Sequence, residues 1–458
     1  MKWVRLDNSA NIFLAARNQI DTKVFRLSAE LDEEIDPAVL QQALDVVFEQ
    51  YPLFRAVLRR GVFWYYLQES ARTPTVVADD APTVTHLYRF DSRELLFRVL
   101  YRGRRISLEI FHALTDGTGS LWFFQDLLTE YVGRRHPEYF DAAGAAQPDP
   151  GVKQEFAVDA YTHWFRAGTG RTSFAADAAS AAESAAELAG VDPDAAPGPR
   201  RRTPRLRGVM RVRGVHSPDL RTRVVEVTLP VQPVLALARA EGVSLTIYLT
   251  AVFLGALLAA RRPRRGERAM TVSVPINLRQ FFPTDSGRNF FATTLLTHHL
   301  PEAGTDRPVV LGDICRELDE QFRPTLSRQW LERRIRRLVG FERNPILRVI
   351  PRPLKDRVLS LANRLTNRGT TAAMSNLGRV SLPEPVAAHV GRIFFHVSAI
   401  RPQFCMISHR DQLTVSFTSP FVETDYHAAF VRHFTGRGIP VTVNVTRVTE
   451  GEIAAAPR

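Results

Sequence analysis

Cysteine is nearly absent from this chain of 458 residues, which contains only Cys315 and Cys405. Two cysteines cannot form a disulfide framework, and their scarcity fits a reducing compartment. The first residues lack an apolar run followed by a small-residue cleavage site, so we expect no signal peptide and a cytoplasmic protein. The chain also lacks the G-x-S-x-G turn of serine hydrolases, which argues against a serine nucleophile.

Long apolar runs are also scarce. Residues 243–260 carry no charge over a length that approaches a membrane span. The run contains hydroxyl side chains and a glycine, and Ser244 is well placed to cap a helix. These features favour a helix buried between a sheet and its neighbours, so we predict no transmembrane segment.

The charge balance is strongly basic, with a formal net charge of +12. Arginine clusters lie at residues 200–213, 261–268 and 333–368. One interpretation is a solvated, arginine-rich surface, and another is attraction of phosphate groups or of an acidic partner protein. Nucleic acid is not expected as a partner, because no DNA-binding motif or aromatic interleaving accompanies the basic residues.

The sequence H-A-L-T-D-G at residues 112–117 combines an imidazole and a carboxylate at a short spacing. Alternating apolar residues predict a strand over residues 106–112 that ends at His112. Asp116 and Gly117 supply turn residues, and apolar positions at spacings of three and four predict a helix from about Thr118. The motif is therefore a strand, a tight turn and a helix.

Histidine at the exit of a strand has two interpretations. A half-buried ring can simply be satisfied by a backbone carbonyl group. Alternatively, the neutral imidazole can act as a general base at cellular pH, because its ordinary pKa is about 6.5. Such a base removes the proton from an attacking hydroxyl or amino group.

The H-x-x-x-D-G pattern resembles the active-site motif of the acyltransferase superfamily that contains chloramphenicol acetyltransferase, alcohol O-acetyltransferases, wax-ester synthases and peptide-synthetase condensation domains. Other segments resemble bacterial proteins of the alcohol acetyltransferase group and span nearly the whole chain apart from residues 141–220. These segments are residues 6–13, 61–67, 274–283, 288–291 and 375–378.

The resemblance implies an α/β fold of two chloramphenicol-acetyltransferase-like domains, with mixed sheets flanked by helices and an active-site tunnel between them. We assign residues 1–140 to the N-terminal domain, which carries the motif, and residues 221–458 to the C-terminal domain. Residues 141–220, rich in Ala, Asp, Pro and Gly, are predicted to be a low-complexity linker or insertion that is partly disordered.

Alternating segments near the C-terminus predict further strands. They occupy residues 392–400, 404–409 and 413–418, and turn residues separate them. We interpret the three as an antiparallel meander of the C-terminal domain.

The resemblance also assigns roles within the motif. It implies that His112 is the catalytic base, that Gly117 allows the tight turn behind it, and that Asp116 holds the loop through an ion pair with an arginine of the second domain. The matching arginine here is Arg279. Alternatives for Arg279 are phosphate binding and a plain surface position.

Several polar residues are candidates for lining the substrate tunnel. Asn277 and Asn376 can instead form structural turns, and hydroxyl groups on a strand can serve the sheet alone. We expect no metal site, since the adjacent His298 and His299 point to opposite faces of a strand. The candidates are Asn277, Ser375, Asn376, Gly378, Ser416 and Thr418.

The sequence thus predicts an enzyme that moves an acyl group from a thioester directly to an alcohol, with acyl-CoA as the preferred co-substrate and no bound cofactor. The partner is then a small-molecule acceptor. A condensation-type enzyme that takes a carrier-protein thioester and forms an ester or amide is the first alternative. Phe111 argues against it, because condensation domains usually carry a second histidine there. A non-catalytic basic binding protein of the same fold is the second.

Overall fold

A computed structural model describes residues 3–89, 92–138, 153–165, 208–217, 219–301, 309–343 and 352–445. In these ranges the chain forms two mixed β-sheets flanked by helices, together with a small antiparallel sheet. The predicted α/β fold class is therefore confirmed. Most of the predicted linker at residues 141–220 lies outside the described residues, so its disorder stays a prediction.

The first part of the described chain builds one mixed sheet and the small sheet. Its elements are β1 (Trp3–Arg5), α1 (Asn8–Ala16), β2 (Val24–Leu31), α2 (Pro37–Gln50), β3 (Ala56–Arg60), β4 (Tyr65–Glu69), β5 (Val77–Ala78), β6 (Phe97–Arg102), β7 (Arg105–Phe111), α3 (Gly117–Arg135) and α4 (Ala160–Trp164).

The later part builds most of the second mixed sheet and its helices. Its elements are β8 (Arg223–Pro230), α5 (Val231–Ala240), α6 (Leu245–Ala260), β9 (Ala269–Asn277), β10 (Phe291–His299), α7 (Leu311–Phe322), α8 (Arg328–Arg343), α9 (Arg352–Arg368), β11 (Ala372–Val380), α10 (Glu384–His389), β12 (Val390–Val397), β13 (Gln403–His409), β14 (Gln412–Ser419), α11 (Asp425–Thr435) and β15 (Thr442–Val445).

The strand that leads to His112 forms as the alternation predicts. β6 and β7 make an antiparallel hairpin, and Gly103 occupies the turn with a φ of +54°, which favours glycine. β2 pairs antiparallel with β7 on its other side, so β7 lies inside the first sheet. The end of an interior strand is a rigid position for a functional side chain.

Helix α6 is the uncharged segment and lies in the core of the second half. Ser244 caps it by accepting a hydrogen bond from the Ile247 backbone amide at 3.3 Å. Ten of its sixteen residues are buried, which confirms the predicted core helix. No single helix in the described ranges is long and apolar enough to cross a membrane, and the apolar pair α5 and α6 meets at 85°.

One strand from the C-terminal part of the chain belongs to the first sheet. β12 pairs antiparallel with β2 along its length, whereas β13 pairs with β14 and, in parallel, with β11. The predicted meander of three consecutive strands is therefore wrong in its first member. Local alternation identifies each strand, but it does not specify the partner. β12 is the edge strand of the first sheet and contacts β13 and β14 in the interior of the second sheet.

Glycine at position 119 has a packing reason that can be tested. A Cβ atom there would lie 2.3 Å from the Gly287 carbonyl oxygen and 2.3 Å from Thr115 Oγ1. We expect Gly119→Ala to lower the free energy of unfolding by about 2 kcal/mol or more, because backbone atoms cannot move aside cheaply. Chemical denaturation measures this change.

Gly255 is the matched control for that substitution. It lies within helix α6, and an added Cβ would meet no atom within 4 Å. Gly255→Ala should therefore stabilise the protein by about 0.5–1 kcal/mol through helix propensity. Equal effects of the two substitutions would contradict the close contact at Gly119.

Candidate active site

His112 follows the last residue of β7, and its side chain is held between aromatic rings. Its backbone amide donates to the Lys23 carbonyl oxygen at 2.9 Å. The Phe13 ring stacks on the imidazole with a centroid separation of 3.9 Å, and the Phe25 ring meets it edge-on at 5.0 Å. The ring plane is thereby fixed before any substrate arrives.

Asn289 determines which imidazole nitrogen carries the proton. Its Nδ2 donates to the His112 carbonyl oxygen at 3.1 Å, so its Oδ1 is the atom that lies 3.0 Å from His112 Nδ1. An amide oxygen only accepts, and Nδ1 must therefore carry the hydrogen. Nε2 is left with its lone pair, and it has no hydrogen-bond partner among the described residues.

Asp7 anchors Asn289 from the opposite side. Its Oδ2 accepts a hydrogen bond from Asn289 Nδ2 at 3.2 Å, and its Oδ1 caps helix α1 by accepting from the Ala10 amide at 2.7 Å. Burial raises the pKa of Asp7 to about 6, although the Arg288 guanidinium, 3.6 Å away, lowers it. Asp7 therefore orients the amide of Asn289, and Asn289 in turn orients the His112 imidazole.

The imidazole is held in its neutral form. Burial lowers the pKa of His112 to about 4, and the nearby charge of Asp116 only partly offsets this effect. The side chain nevertheless lines a cavity and is not fully enclosed. A neutral ring with a free lone pair beside a cavity can accept a proton from a molecule bound there.

Asp116 closes the turn behind the histidine and does not bond to its ring. Its Oδ1 caps helix α3 by accepting from the Gly119 amide at 3.0 Å, and its Oδ2 accepts from the Phe290 amide at 2.9 Å. The same Oδ2 lies 2.7 Å from Arg279 Nη1 in an ion pair whose two side chains are 7% exposed. The expected pair of Asp116 with Arg279 is therefore present.

Arg279 joins the turn to the second sheet through backbone carbonyl groups. Its Nη2 donates to the carbonyl oxygens of Ser286 and Arg288, both at 2.7 Å, and its Nε donates to that of Ser286 at 3.1 Å. These bonds satisfy the buried guanidinium and locate the segment that carries Asn289. The alternative surface position of Arg279 does not hold.

Gly117 and Asn277 lie at one end of the cavity. A Cβ on Gly117 would come within 2.4 Å of the Leu377 side chain, so glycine lets β11 approach the turn closely. Asn277 donates from Nδ2 to Thr118 Oγ1 at 3.2 Å and accepts from the Arg279 amide at 3.0 Å. Because Thr118 Oγ1 accepts in that bond, its hydroxyl hydrogen stays available to a ligand.

The cavity of about 310 Å³ lies where the two mixed sheets meet. His112, Asn277, Ser375 and Asn376 line it, and so do residues of β2, β9, β10, β11 and β12. Asn376 also accepts from the Gly378 amide at 2.7 Å, in a turn where Gly378 has a φ of +78°. Gly378 thus serves the bulge of β11 and does not line the cavity.

Besides Gly378, two of the expected lining residues lie elsewhere. Ser416 and Thr418 of β14 are completely buried, and they are not among the residues around this cavity. The oxyanion role considered for these hydroxyl groups is therefore not supported by their position. The expectation that His298 and His299 point away from each other is wrong, because both rings contact Glu317, with His298 Nδ1 2.7 Å from Glu317 Oε2.

Sequence reasoning missed the residues that orient His112. Asp7 and Asn289 lie 105 and 177 positions away from it in the chain, and only the fold joins the three. The resembled segments at residues 6–13 and 288–291 did contain both, which was the available signal. Phe13 and Phe291, which flank the imidazole, lie in the same two segments.

Comparison with known proteins identifies the fold. A scan against protein-family models and a search of curated proteins find no match to the sequence. Among solved structures, the first condensation domain of the calcium-dependent antibiotic synthetase, in complex with a substrate analogue, is similar with a TM-score of 0.58 at 16% identity, over 94% of this chain and 95% of that one.

Two further structures show the same likeness. Polyketide synthase associated protein 5 from Mycobacterium tuberculosis has a TM-score of 0.55 at 16% identity, over 93% of this chain and 96% of that one. The trichothecene 15-O-acetyltransferase from Fusarium sporotrichioides has a TM-score of 0.56 at 13% identity, over 94% of each chain. The chain therefore has the fold of these proteins along nearly its full length.

Proposed function

We propose that this protein, which shares the fold of a condensation domain and of an O-acetyltransferase, is an acyltransferase that moves an acyl group from acyl-CoA to an alcohol. One observation carries the proposal. The His112 ring carries its hydrogen on Nδ1, which leaves the lone pair on Nε2, and the side chain lines a cavity between the two sheets. That arrangement supports direct transfer without a covalent acyl-enzyme.

The proposed reaction proceeds through one tetrahedral intermediate. His112 Nε2 takes the proton of the acceptor hydroxyl while its oxygen forms a bond to the thioester carbonyl carbon. The carbonyl electrons move to the oxygen, and the Thr118 hydroxyl is the nearby donor available to that oxyanion. When the carbonyl reforms, the carbon–sulfur bond breaks and the thiolate recovers the proton from the imidazolium.

The groups that orient His112 also fix its tautomer and favour its protonated form. As the imidazolium forms, its Nδ1 hydrogen remains bonded to Asn289 Oδ1, and Asp116 lies close enough to favour the positive charge. The fixed tautomer prevents Nδ1 from competing as the base. The ion pair of Asp116 with Arg279 holds the turn, and neither of these two residues needs to touch the substrate.

A donor and acceptor panel tests this function. Purified protein is incubated with acyl-CoAs of increasing chain length and with pooled alcohols or pooled amines, and release of free CoA thiol is followed. We expect thiol release that depends on an added alcohol and an ester product found by mass spectrometry. Thiol release only with amines, or none with any acyl-CoA while a carrier-bound acyl group is transferred, would contradict the proposal.

The pH dependence of the reaction follows from the lowered pKa of His112. The base must be neutral, so kcat/KM should fall on the acid side with a pKa near 4 and not near the ordinary value of 6.5. Measured rates should therefore change little between about pH 5.5 and 8.

Asp7 provides the internal check on this profile. Its pKa is raised to about 6, so a fall in rate near that value would report Asp7 and not His112. Asp7→Asn removes the titrating group while keeping an acceptor for Asn289. A fall in kcat/KM near pH 6.5 that persists in this variant would contradict a buried neutral base.

A further inference from the structure

Arginine side chains cluster beside the cavity. Two recesses of about 280 and 440 Å³ adjoin the cavity and share Asn367 and Ile400 with it as lining residues. Their lining includes no aspartate or glutamate. We call the six cations that line them the arginine mouth: Arg17, Arg211, Arg213, Arg364, Arg368 and Arg401.

Helix α9 supplies one side of the mouth. Arg364 and Arg368 are exposed and four residues apart, so they lie on one face of the helix. Ser360, Asn363 and Asn367 line the same recess and add uncharged hydrogen-bonding groups. This face combines charge with donors as phosphate recognition requires.

Four of the six charges of the mouth are not neutralised by ion pairs within the described residues. Arg211, Arg364, Arg368 and Arg401 form no ion pair with a carboxylate among the described residues. Burial and the neighbouring Arg211 lower the pKa of Arg401 to about 10, against the attraction of Asp21, which itself pairs with Lys23 at 2.6 Å. Like charges gathered around a recess favour an anion there.

The mouth lies at a defined distance from His112. Thr371 lines one of the two recesses, and its amide donates to the Thr271 carbonyl oxygen on β9. The mouth therefore lies at the level of Thr271 along that strand. Asn277 is at the level of Phe291, whose ring lies beside His112. Six strand residues separate the two levels, or about 20 Å.

A coenzyme A thioester fits these dimensions. Its pantetheine arm is a linear chain with two amide bonds, comparable to about five extended residues, or about 17 Å. Its 3′-phosphate alone carries about −1.5 to −2 charges, and its diphosphate adds one charge per phosphate. A carrier protein presents a single phosphodiester, whose negative charge would be matched by only some of the six arginines.

We propose that the arginine mouth binds the diphosphate and 3′-phosphate of coenzyme A, and that the pantetheine arm extends from there along β9 and β11 to His112. The inference rests on the proposed function for the identity of the thioester. The acceptor alcohol then reaches Nε2 from the other end of the cavity, beside Thr118 and Asn376.

Calorimetric titration of the full chain tests the mouth without turnover. CoA, 3′-dephospho-CoA and pantetheine are the probes. CoA should bind at least about tenfold more tightly than pantetheine, with dephospho-CoA between them and a steep loss of CoA affinity at high salt. Equal affinities for CoA and pantetheine would overturn the proposal.

A pair of variants assigns the effect to the mouth. Arg364→Gln with Arg368→Gln should weaken CoA binding by about 10- to 100-fold and leave pantetheine binding unchanged. Arg357→Gln is the matched control, since Arg357 is exposed on the same helix and lines neither recess. Wild-type CoA affinity in the double variant, or equal losses in the control, would overturn the assignment.

The two proposals fail in different ways. CoA bound tightly through these arginines, with no acyl transfer to any acceptor, supports the mouth and defeats the acyltransferase function. Transfer from acyl-CoA with an unchanged KM in the double variant supports the function and defeats the mouth. A larger loss with a carrier-bound acyl donor than with acyl-CoA would also overturn the assignment, because it would make the mouth a protein-docking surface.

Discussion

Replacing His112 with alanine should reduce the turnover of acyl-CoA and alcohol by about 10²- to 10⁴-fold, because the change removes the general base. The carboxylates of Asp21 and Asp116 also line the cavity, but each is paired with a cation. The pKa of His112 is low and its Nε2 lone pair is free, so the loss should appear in kcat. CoA affinity should remain near the wild-type value, since the arginine mouth lies about 20 Å away. Steady-state kinetics and calorimetry check both expectations.

The controls separate chemistry from folding. His163→Ala removes an exposed imidazole outside the cavity and should leave the rate unchanged. His112→Gln keeps polar bulk between Phe13 and Phe25, so its loss of rate should match that of the alanine variant. Turnover near the wild-type value in both His112 variants, with the fold intact, would exclude this histidine as the base.

Removing the charge of Asp116 should cost about 3–5 kcal/mol in the free energy of unfolding, because Arg279 would be left as a buried charge without its partner. Asp116→Asn suits this test, since asparagine can still cap helix α3 through its side-chain oxygen. Turnover should fall as well, because the turn that follows His112 loses its anchor to the second sheet. Denaturant unfolding gives the first effect and kinetics the second.

A double-mutant cycle isolates the ion pair. Arg279→Met removes the cation, and the double variant should be destabilised by less than the sum of the two single changes. Glu332→Gln is the comparison, because it breaks an exposed pair with Arg336 and should cost at most about 0.5 kcal/mol. Additive effects at Asp116 and Arg279 would show that the short contact is not a coupled pair.

Elements that depend on local pattern were predictable from the sequence. Helix α2 begins at Pro37 with Asp36 as its cap, as the cap and first-turn rules require, and its inner face is buried. β7 and the turn after it formed where alternation and the glycines indicated. The reason is that backbone sterics and the period of side-chain burial act over a few neighbouring residues.

Assignments that depend on long-range contacts had mixed outcomes. The ion pair of Asp116 with Arg279 is present across 163 positions. Ser416 and Thr418 lie outside the cavity, because the alternation that places them on one face does not say which layer that face meets. The catalytic roles of His112, Asp116 and Gly117 stay predictions that the variants above address.

The sequence by itself determined the elements, the glycine-rich turn and the histidine and carboxylate that flank it. Tertiary structure decided the partner of β12, the tautomer of His112 and the convergence of six arginines at one mouth. Hydrogen-bond partners and burial arise only when distant segments meet. The protonation state and charge of a side chain depend on these surroundings, which no local sequence pattern specifies.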